Sequence, residues 1–272
     1  MQKVFRNRKP DEKIMNLFIT AGFPAKSETV DLILAYEKNG ADIIELGMPF
    51  SDPLADGPTI QYSSEVALAA GLMMDDIFEM VSQVRKSSDI PIVLMGYLNP
   101  LLYYGIEPFF TRCAETGVDG LILPDVPVEE SALLAEASET CKVPLIYLVA
   151  PNSTDERMKL VDERSGGFVY CVSVTGVTGA RSGDEVEQSV NRFIERVNQN
   201  ITRNPVLVGF GISSHADAMH ISRKTDGFVV GSALINNIRE NYGTEGWMEN
   251  HLKFVRSLKY GELETSENTK RS

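Results

Sequence analysis

The sequence is poor in the residues that metal centres and disulfide frameworks require. Its 272 residues include only three cysteines and three histidines. Cys113, Cys141 and Cys171 are scattered, odd in number and mostly next to apolar residues, so we interpret them as reduced thiols of a hydrophobic core. A catalytic thiol is the alternative, but no histidine lies near any of them in sequence. The histidines also lack the HExxH-like spacing of a metal site.

Positive charge is scarce as well. The 26 Lys and Arg residues stand against 38 Asp and Glu residues, which gives a net charge of −12. This balance argues against nucleic acid or an anionic membrane as the main partner. An acidic chain that binds an anion must build positive potential locally, from backbone amides or helix ends. No signal peptide and no apolar run long enough to cross a membrane is found, so we expect a cytoplasmic protein.

The sequence is rich in short apolar, β-branched segments separated by stretches with helical periodicity. The segments are almost continuously hydrophobic, as strands covered on both faces are. They comprise residues 15–22, 41–47, 90–97, 120–125, 144–150, 168–173, 205–211 and 227–232. Eight strands alternating with helices in a chain of this length predict a (β/α)8 barrel. A doubly wound parallel sheet is the alternative, although it usually has fewer strands.

The pattern shows no linker that would divide the chain. We therefore expect one barrel domain over residues 1–260, with a short extra helix within residues 1–14. Residues 261–272 are polar and lack periodicity, which predicts a frayed tail.

The stretch ELGMPFSDPLADGPTIQ (45–61) carries three carboxylates and three prolines in seventeen positions. In such barrels, catalytic residues lie at the carboxyl ends of strands and in the loops that follow. Glu45 is predicted to end the second strand, where burial would raise its pKa and suit a general acid that later acts as a base. Asp56, in a polar loop with backbone donors, is expected to stay ionised. For Asp52 we favour the simpler interpretation that its side chain caps a turn.

Glycine and hydroxyl residues follow the last three predicted strands. These loops are SVTGVTGARSG (173–183), GFGISS (209–214) and GSAL (231–234). Backbone N–H groups of such loops, together with a helix N-terminus, commonly bind phosphate in this fold. The candidate contacts are Gly209, Gly211, Ser213, Gly231 and Ser232. Three such loops on one rim predict a substrate that carries a phosphate.

Taken in order, ELGMPFSDPLADGPTIQ, LPDVPVEES (123–131), SVTGVTGA, GFGIS and VVGSAL resemble the tryptophan synthase alpha subunit family. The resemblance covers roughly residues 15–235. It implies retro-aldol cleavage of indole-3-glycerol phosphate to indole and D-glyceraldehyde 3-phosphate, without metal or cofactor in this chain. It also implies a beta subunit that holds pyridoxal phosphate and converts the indole to tryptophan, in an α2β2 heterotetramer.

The same resemblance assigns roles to individual residues. Glu45 and Asp56 match the catalytic pair, and Tyr170 matches a tyrosine near the catalytic glutamate. The matches to the phosphate-binding residues are Gly179, Gly211, Gly231 and Ser232. Val174 stands where some members carry an arginine, so a role of that arginine in closing the loop is not carried over.

Other site residues are expected from their positions. Apolar residues at or near strand ends that could line an indole pocket are Phe18, Leu94, Ile122, Leu148 and Phe210. The loop after the sixth predicted strand lies where a lid would lie, with Thr178 placed near Asp56 and Gly179 near the phosphate.

Two other functions remain open at this point. A phosphosugar isomerase or a different lyase could use the same scaffold, because fold alone does not fix function. A non-catalytic subunit that only activates a beta partner is the second alternative, and it would not need Glu45 and Asp56.

Overall fold

The computed structural model of the chain describes residues 1–9, 11–172, 183–209 and 211–261. Nine strands lie within this part of the chain. They are β1 (Ile14–Thr20), β2 (Ile43–Gly47), β3 (Ile92–Met95), β4 (Gly120–Ile122), β5 (Leu145–Ile146), β6 (Leu148–Val149), β7 (Val169–Val172), β8 (Val206–Gly209) and β9 (Gly227–Val230). All the pairings between them are parallel.

The described helices separate these strands along the chain. The α-helices are α1 (Gln2–Asn7), α2 (Thr29–Lys38), α3 (Pro58–Ala69), α4 (Met74–Arg85), α5 (Leu98–Tyr104), α6 (Ile106–Thr116), α7 (Ala132–Cys141), α8 (Asp155–Arg164), α9 (Gly183–Asn200), α10 (His215–Ile221), α11 (Ser232–Asn241) and α12 (Trp247–Tyr260). Short 3-10 helices span Val128–Glu130 and Ser222–Lys224. None of the helices in the described part of the chain is long and apolar enough to cross a membrane.

The sheet runs in the order β5-β4-β3-β2-β1-β9-β8-β7-β6. Because β5 and β6 are separated only by Tyr147, this order closes into a barrel, and the predicted (β/α)8 class with its short N-terminal helix is confirmed. The prediction of one continuous fifth strand over 144–150 is wrong. The Tyr147 N–H donates to Oγ of Ser165 at 3.1 Å. Tyr147 therefore separates β5, which pairs with β4, from β6, which pairs with β7.

Alternation of side chains along the strands divides the core into two parts. Outward-facing residues pack with the apolar faces of the helices, whereas inward-facing residues fill the barrel. The inner cluster consists of Ile14, Ile43, Val93, Ile122, Ile146, Phe168, Tyr170, Leu207 and Val229. Phe5 of α1 packs against this cluster, with its ring centroid 6.4 Å from that of Phe168. Helix α1 thus covers the amino-terminal end of the barrel, and open space is left at the carboxyl end.

The single-domain boundary at residue 260 remains a prediction. Residues 262–272, which make up nearly all of the expected tail, lie outside the described residues.

Candidate active site

A cavity of about 350 Å³ opens at the carboxyl ends of the strands. Its volume falls in the range of small-ligand sites. Apolar side chains form one part of the wall, and a glycine-rich edge with the start of α11 forms another. Lining residues include Phe18, Asp56, Ile60, Met95, Tyr170, Gly209, Gly211, Ile212, Ser213, Val229, Gly231, Ser232, Ala233 and Asn236.

The structure brings eight of the predicted site residues to this cavity, and Glu45 is not among its lining residues. The eight are Phe18, Asp56, Tyr170, Gly209, Gly211, Ser213, Gly231 and Ser232. Thr178, Gly179 and Phe210 lie outside the described residues, as does the loop expected to act as a lid. Of the other indole-pocket candidates, Ile122 and Leu148 belong to or pack on the inner cluster. Leu94 is instead part of the outer core, on the helix side of the sheet.

Glu45 lies in the middle of β2, whereas the sequence placed it at the strand end. Its side chain is fully buried, and Oε1 accepts a hydrogen bond of 2.5 Å from Nδ2 of Asn16. Oε2 is buried and has no hydrogen-bond partner among the described residues. Burial raises the pKa of Glu45 to about 8, although the hydrogen bond from Asn16 opposes the rise. The carboxyl group therefore holds its proton at neutral pH, as a general acid must.

Two aromatic residues of the cavity wall lie beside Glu45. Phe18 is its register partner on β1. Tyr170, on the inner face of β7, has its pKa raised well above the ordinary value by burial and, to a smaller extent, by the charge of Glu45. The Tyr170 hydroxyl therefore stays protonated. These residues make the part of the cavity near Glu45 apolar, with one hydroxyl available as a donor or acceptor.

Asp56 lies in the loop between β2 and α3 and is half-buried. The Tyr97 hydroxyl forms a hydrogen bond with its carboxyl group and also accepts the N–H of Ala55 at 3.0 Å. Burial raises the pKa of Asp56, and the Tyr97 hydrogen bond opposes the rise. The sequence predicted backbone donors around this carboxylate, but the partner in the described part of the chain is a phenol. Tyr97 thus ties this loop to the segment that follows β3.

The glycine-rich edge of the cavity combines a left-handed turn with a helix N-terminus. Gly211 has a φ of +62°, a conformation that favours glycine. Gly231 follows β9 directly and is the residue before α11, whose first residue is Ser232. No Lys or Arg is among the described lining residues. An anion here would be held by backbone N–H groups and the dipole of α11.

Ser213 lines the cavity, and its donors form hydrogen bonds within the protein. Its backbone N–H and its hydroxyl both donate to Oδ2 of Asp217, at 3.3 and 3.0 Å. The carboxylate at the start of α10 therefore uses both donors of Ser213. Ser232 is the hydroxyl that remains at this edge from the predicted set.

Sequence reasoning missed two residues that contact the candidate catalytic pair. Asn16 is an amide inside the apolar run MNLFITAG, and that irregularity was the available signal. Tyr97 follows β3 in GYLNP, where nothing in the sequence reveals its contact with Asp56.

The comparisons with known proteins agree among themselves. A family model described as tryptophan synthase alpha chain matches residues 5–263. The tryptophan synthase alpha chain of Thermoanaerobacter sp. (strain X514) is 46% identical over 247 residues, which cover 91% of this chain and 93% of that protein. The alpha chain of Flavobacterium johnsoniae is 41% identical over 242 residues, covering 89% and 95%.

Solved structures give the same result. The tryptophan synthase alpha chain from Legionella pneumophila superposes with a TM-score of 0.85 at 34% identity, covering 96% of this chain and 95% of that one. A chain of the tryptophan synthase complex from Pyrococcus furiosus superposes with a TM-score of 0.79 at 36% identity, covering 90% and 97%.

Proposed function

The chain belongs to the tryptophan synthase alpha chain family, a family of lyases in tryptophan biosynthesis whose alpha subunits cleave indole-3-glycerol phosphate to indole and D-glyceraldehyde 3-phosphate. We propose that the cavity at the carboxyl end of the barrel is where this chain carries out that cleavage, with Glu45 and Asp56 as its catalytic residues. The observation that carries the proposal is the fully buried Glu45, whose pKa of about 8 leaves it protonated at neutral pH.

The chemistry requires an acid that later becomes a base. Direct cleavage of the bond between indole C3 and the glycerol carbon would expel an indole carbanion, which is a poor leaving group. Protonation of C3 by Glu45 makes the ring an electron sink, with positive charge at N1. The bond electrons then flow into the ring, and the Glu45 carboxylate takes the proton of the glycerol hydroxyl, which becomes the aldehyde. Glu45 ends the cycle protonated, as it began.

Asp56 is proposed to accept the N1–H hydrogen bond of the indole. An anion at this position stabilises the positive charge that develops on the ring. Its placement on the cavity wall together with Phe18 and Tyr170 supports this role, because an indole ring needs an apolar pocket with one polar contact for N1.

The phosphate of the substrate is proposed to lie at the glycine-rich edge. Gly211, Gly231 and Ser232 line that part of the cavity, and α11 points its N-terminus there. Backbone binding suits a chain with a net charge of −12, which has no basic cluster among the described lining residues.

A beta subunit is the expected partner, because similar solved structures include tryptophan synthase complexes. We propose that this chain assembles as α2β2 in the cytoplasm and passes indole to a beta subunit that carries pyridoxal phosphate. Two side chains on segments at the carboxyl end of the barrel support a partner there. Leu54, in the loop after β2, is 90% exposed, and Tyr103, in α5, is 96% exposed.

An assay of the purified chain tests the function. Indole and D-glyceraldehyde 3-phosphate should appear in equal amounts from indole-3-glycerol phosphate, faster when a beta subunit is added. The same preparation is offered other phosphosugars and assayed for isomerisation. Isomerase activity without indole release would favour a different reaction on the scaffold. Indole release that occurs only when the beta preparation is present, and that does not depend on Glu45, would indicate that this chain is a non-catalytic subunit.

A further inference from the structure

The amide of Asn16 is an unusual group for its position. Strand β1 has the sequence IMNLFIT, and all seven residues are buried. An amide in such a place costs free energy unless its polar atoms are paired. Nδ2 of Asn16 donates to Oε1 of Glu45, but Oδ1 of Asn16 is buried without a hydrogen-bond partner among the described residues. The pair thus leaves one unpartnered oxygen on each side, Oδ1 of Asn16 and Oε2 of Glu45.

We propose that Asn16 is a positioning residue for Glu45, whose amide anchors Oε1 and supports the carboxyl group in both of its protonation states. The inference rests on the proposed function, in which Glu45 first gives a proton to the substrate and then takes one back.

The Nδ2–H of Asn16 can donate to Oε1 in both protonation states of Glu45. When Glu45 carries its proton on Oε2, Oε1 is a carbonyl oxygen and still accepts the bond. When Glu45 is ionised, the Nδ2–H bond to Oε1 stabilises the charge. A lysine or arginine at position 16 would hold Glu45 as the carboxylate, and a carboxylate there would hold it as the acid. A neutral amide serves a group that must alternate between the two.

The strand register makes Asn16 a positioning residue rather than a catalytic one. Phe18 is opposite Glu45, and Asn16 is opposite Ile43, so the amide lies one inward-facing position deeper in the barrel. The cavity opens at the other end, where Phe18 and not Asn16 forms the wall. Asn16 therefore lies farther from the cavity than Glu45 does and is not one of the residues that line it.

The net effect of the amide on proton affinity has a definite sign. A hydrogen bond to an ionised group is roughly twice as strong as one between neutral groups. The bond to the carboxylate therefore outweighs the bond to the acid, and Asn16 lowers the pKa of Glu45 from the value that burial alone would set. Removal of the amide should raise that pKa by about one unit.

Two variants and one control test the positioning role of Asn16 in the free protein. Asn16→Leu removes the amide at similar volume, and Asn16→Asp keeps the size and an acceptor but lacks the donor. The control is Thr20→Val, on the same strand and the same inward side, whose hydroxyl is 2.6 Å from Oγ of Ser63. The pKa of Glu45 is read by ¹³C NMR of protein labelled at the glutamate side-chain carboxyl carbon, and the signal is assigned by its loss in Glu45→Gln.

We expect the Glu45 pKa to rise by about one unit in Asn16→Leu. It should rise further in Asn16→Asp, because two adjacent carboxyl groups share one proton. Thr20→Val should leave it unchanged. In Asn16→Leu, the alkaline limb of the kcat/KM profile should move to higher pH together with the Glu45 pKa. The kcat should be lower and the KM unchanged.

An unchanged Glu45 pKa in both folded Asn16 variants would overturn the inference. So would a higher KM with an unmoved pH profile, because that result describes packing alone. Absence of indole release by the wild-type chain would contradict the proposed function instead, and it is measured separately from the titration.

Discussion

Phe18 and Glu45 are register partners on the adjacent strands β1 and β2, and the ring of Phe18 extends over β2 on the cavity side of Glu45. A Cβ on Gly47, two residues after Glu45, would lie 2.6 Å from Cζ of the ring, so the close approach requires glycine there. The ring and the carboxyl group thus share one level of the barrel. Their packing shields the carboxyl group of Glu45 from water, although the cavity beside it is open. This shielding explains why the pKa of Glu45 is raised.

Glu45→Gln should stabilise the fold at alkaline pH. The pKa of Glu45 rises from an ordinary 4.5 to about 8 on folding, so the folded state binds the extra proton between these values. The stability that this proton provides is present at low pH and is lost as pH rises to about 8. A glutamine at position 45 does not titrate, so the variant does not lose this stability as the pH rises. Urea unfolding should show that the advantage of the variant grows by ~1.4 kcal/mol per pH unit between pH 6 and 8. Parallel stability curves for the two proteins would contradict the raised pKa.

Ser232→Asp should weaken substrate binding more than it slows catalysis. A carboxylate at the first residue of α11 would face the phosphate, and like charges placed side by side cost several kcal/mol. KM for indole-3-glycerol phosphate should rise by about tenfold or more, and inhibition by inorganic phosphate should weaken in parallel. Ser232→Asn, of the same size without the charge, is the matched control. Equal KM values for both variants would place the phosphate elsewhere.

Tyr97→Phe should shift the acid side of the pH profile. The variant loses the hydroxyl that bonds to Asp56 and to the N–H of Ala55. Because that bond lowers the pKa of Asp56, its loss raises the pKa further. Asp56 must be ionised to act, so the acid limb of kcat/KM should move to higher pH. At a pH on this acid limb, kcat/KM should fall by about tenfold, the value of one hydrogen bond to a charged group. An unmoved acid limb would argue against an essential ionised Asp56.

Asp125→Ala should affect stimulation by the partner more than basal activity. Both carboxylate oxygens of Asp125 accept the N–H of Leu98, at 3.1 and 3.0 Å, and so cap α5. Loss of such a cap costs about 1 kcal/mol and loosens the helix that presents Tyr103. Indole release is measured across a titration with beta subunit, and the rate without it serves as the internal control. A variant that is stimulated as strongly as wild type would remove α5 from the interface.

Much of the fold follows from hydrophobic pattern alone. Strands buried on both faces leave continuous apolar runs, and the sequence shows eight of these. The division of the fifth run does not follow from the pattern, because it depends on the side chain of Ser165, which bonds to the Tyr147 N–H from eighteen residues away. Local sequence does not contain that contact.

The candidate site, like the fold, can be predicted from the sequence only in part. Glu45 and Asp56 stand in a motif whose length makes it specific, so the sequence alone is enough to select them. It does not reveal their partners, because Asn16 reaches Glu45 across a strand pair and Tyr97 reaches Asp56 from the next loop. Strand register and loop path decide both contacts. Ser213 resembles a phosphate donor in sequence, and its bonds to Asp217 are visible only in the structure.

Indole release by the Glu45→Gln variant tests whether Glu45 is the general acid and base of the cleavage. The variant keeps the shape of the side chain but can neither protonate indole C3 nor take the hydroxyl proton. Its kcat should fall by at least about 10²-fold, with and without a beta subunit, while the fold and phosphate binding stay intact. Thr20→Val, treated identically, controls for a change in the same part of the barrel. A folded Glu45→Gln protein that keeps more than about a tenth of the wild-type kcat would contradict the acid–base role of Glu45.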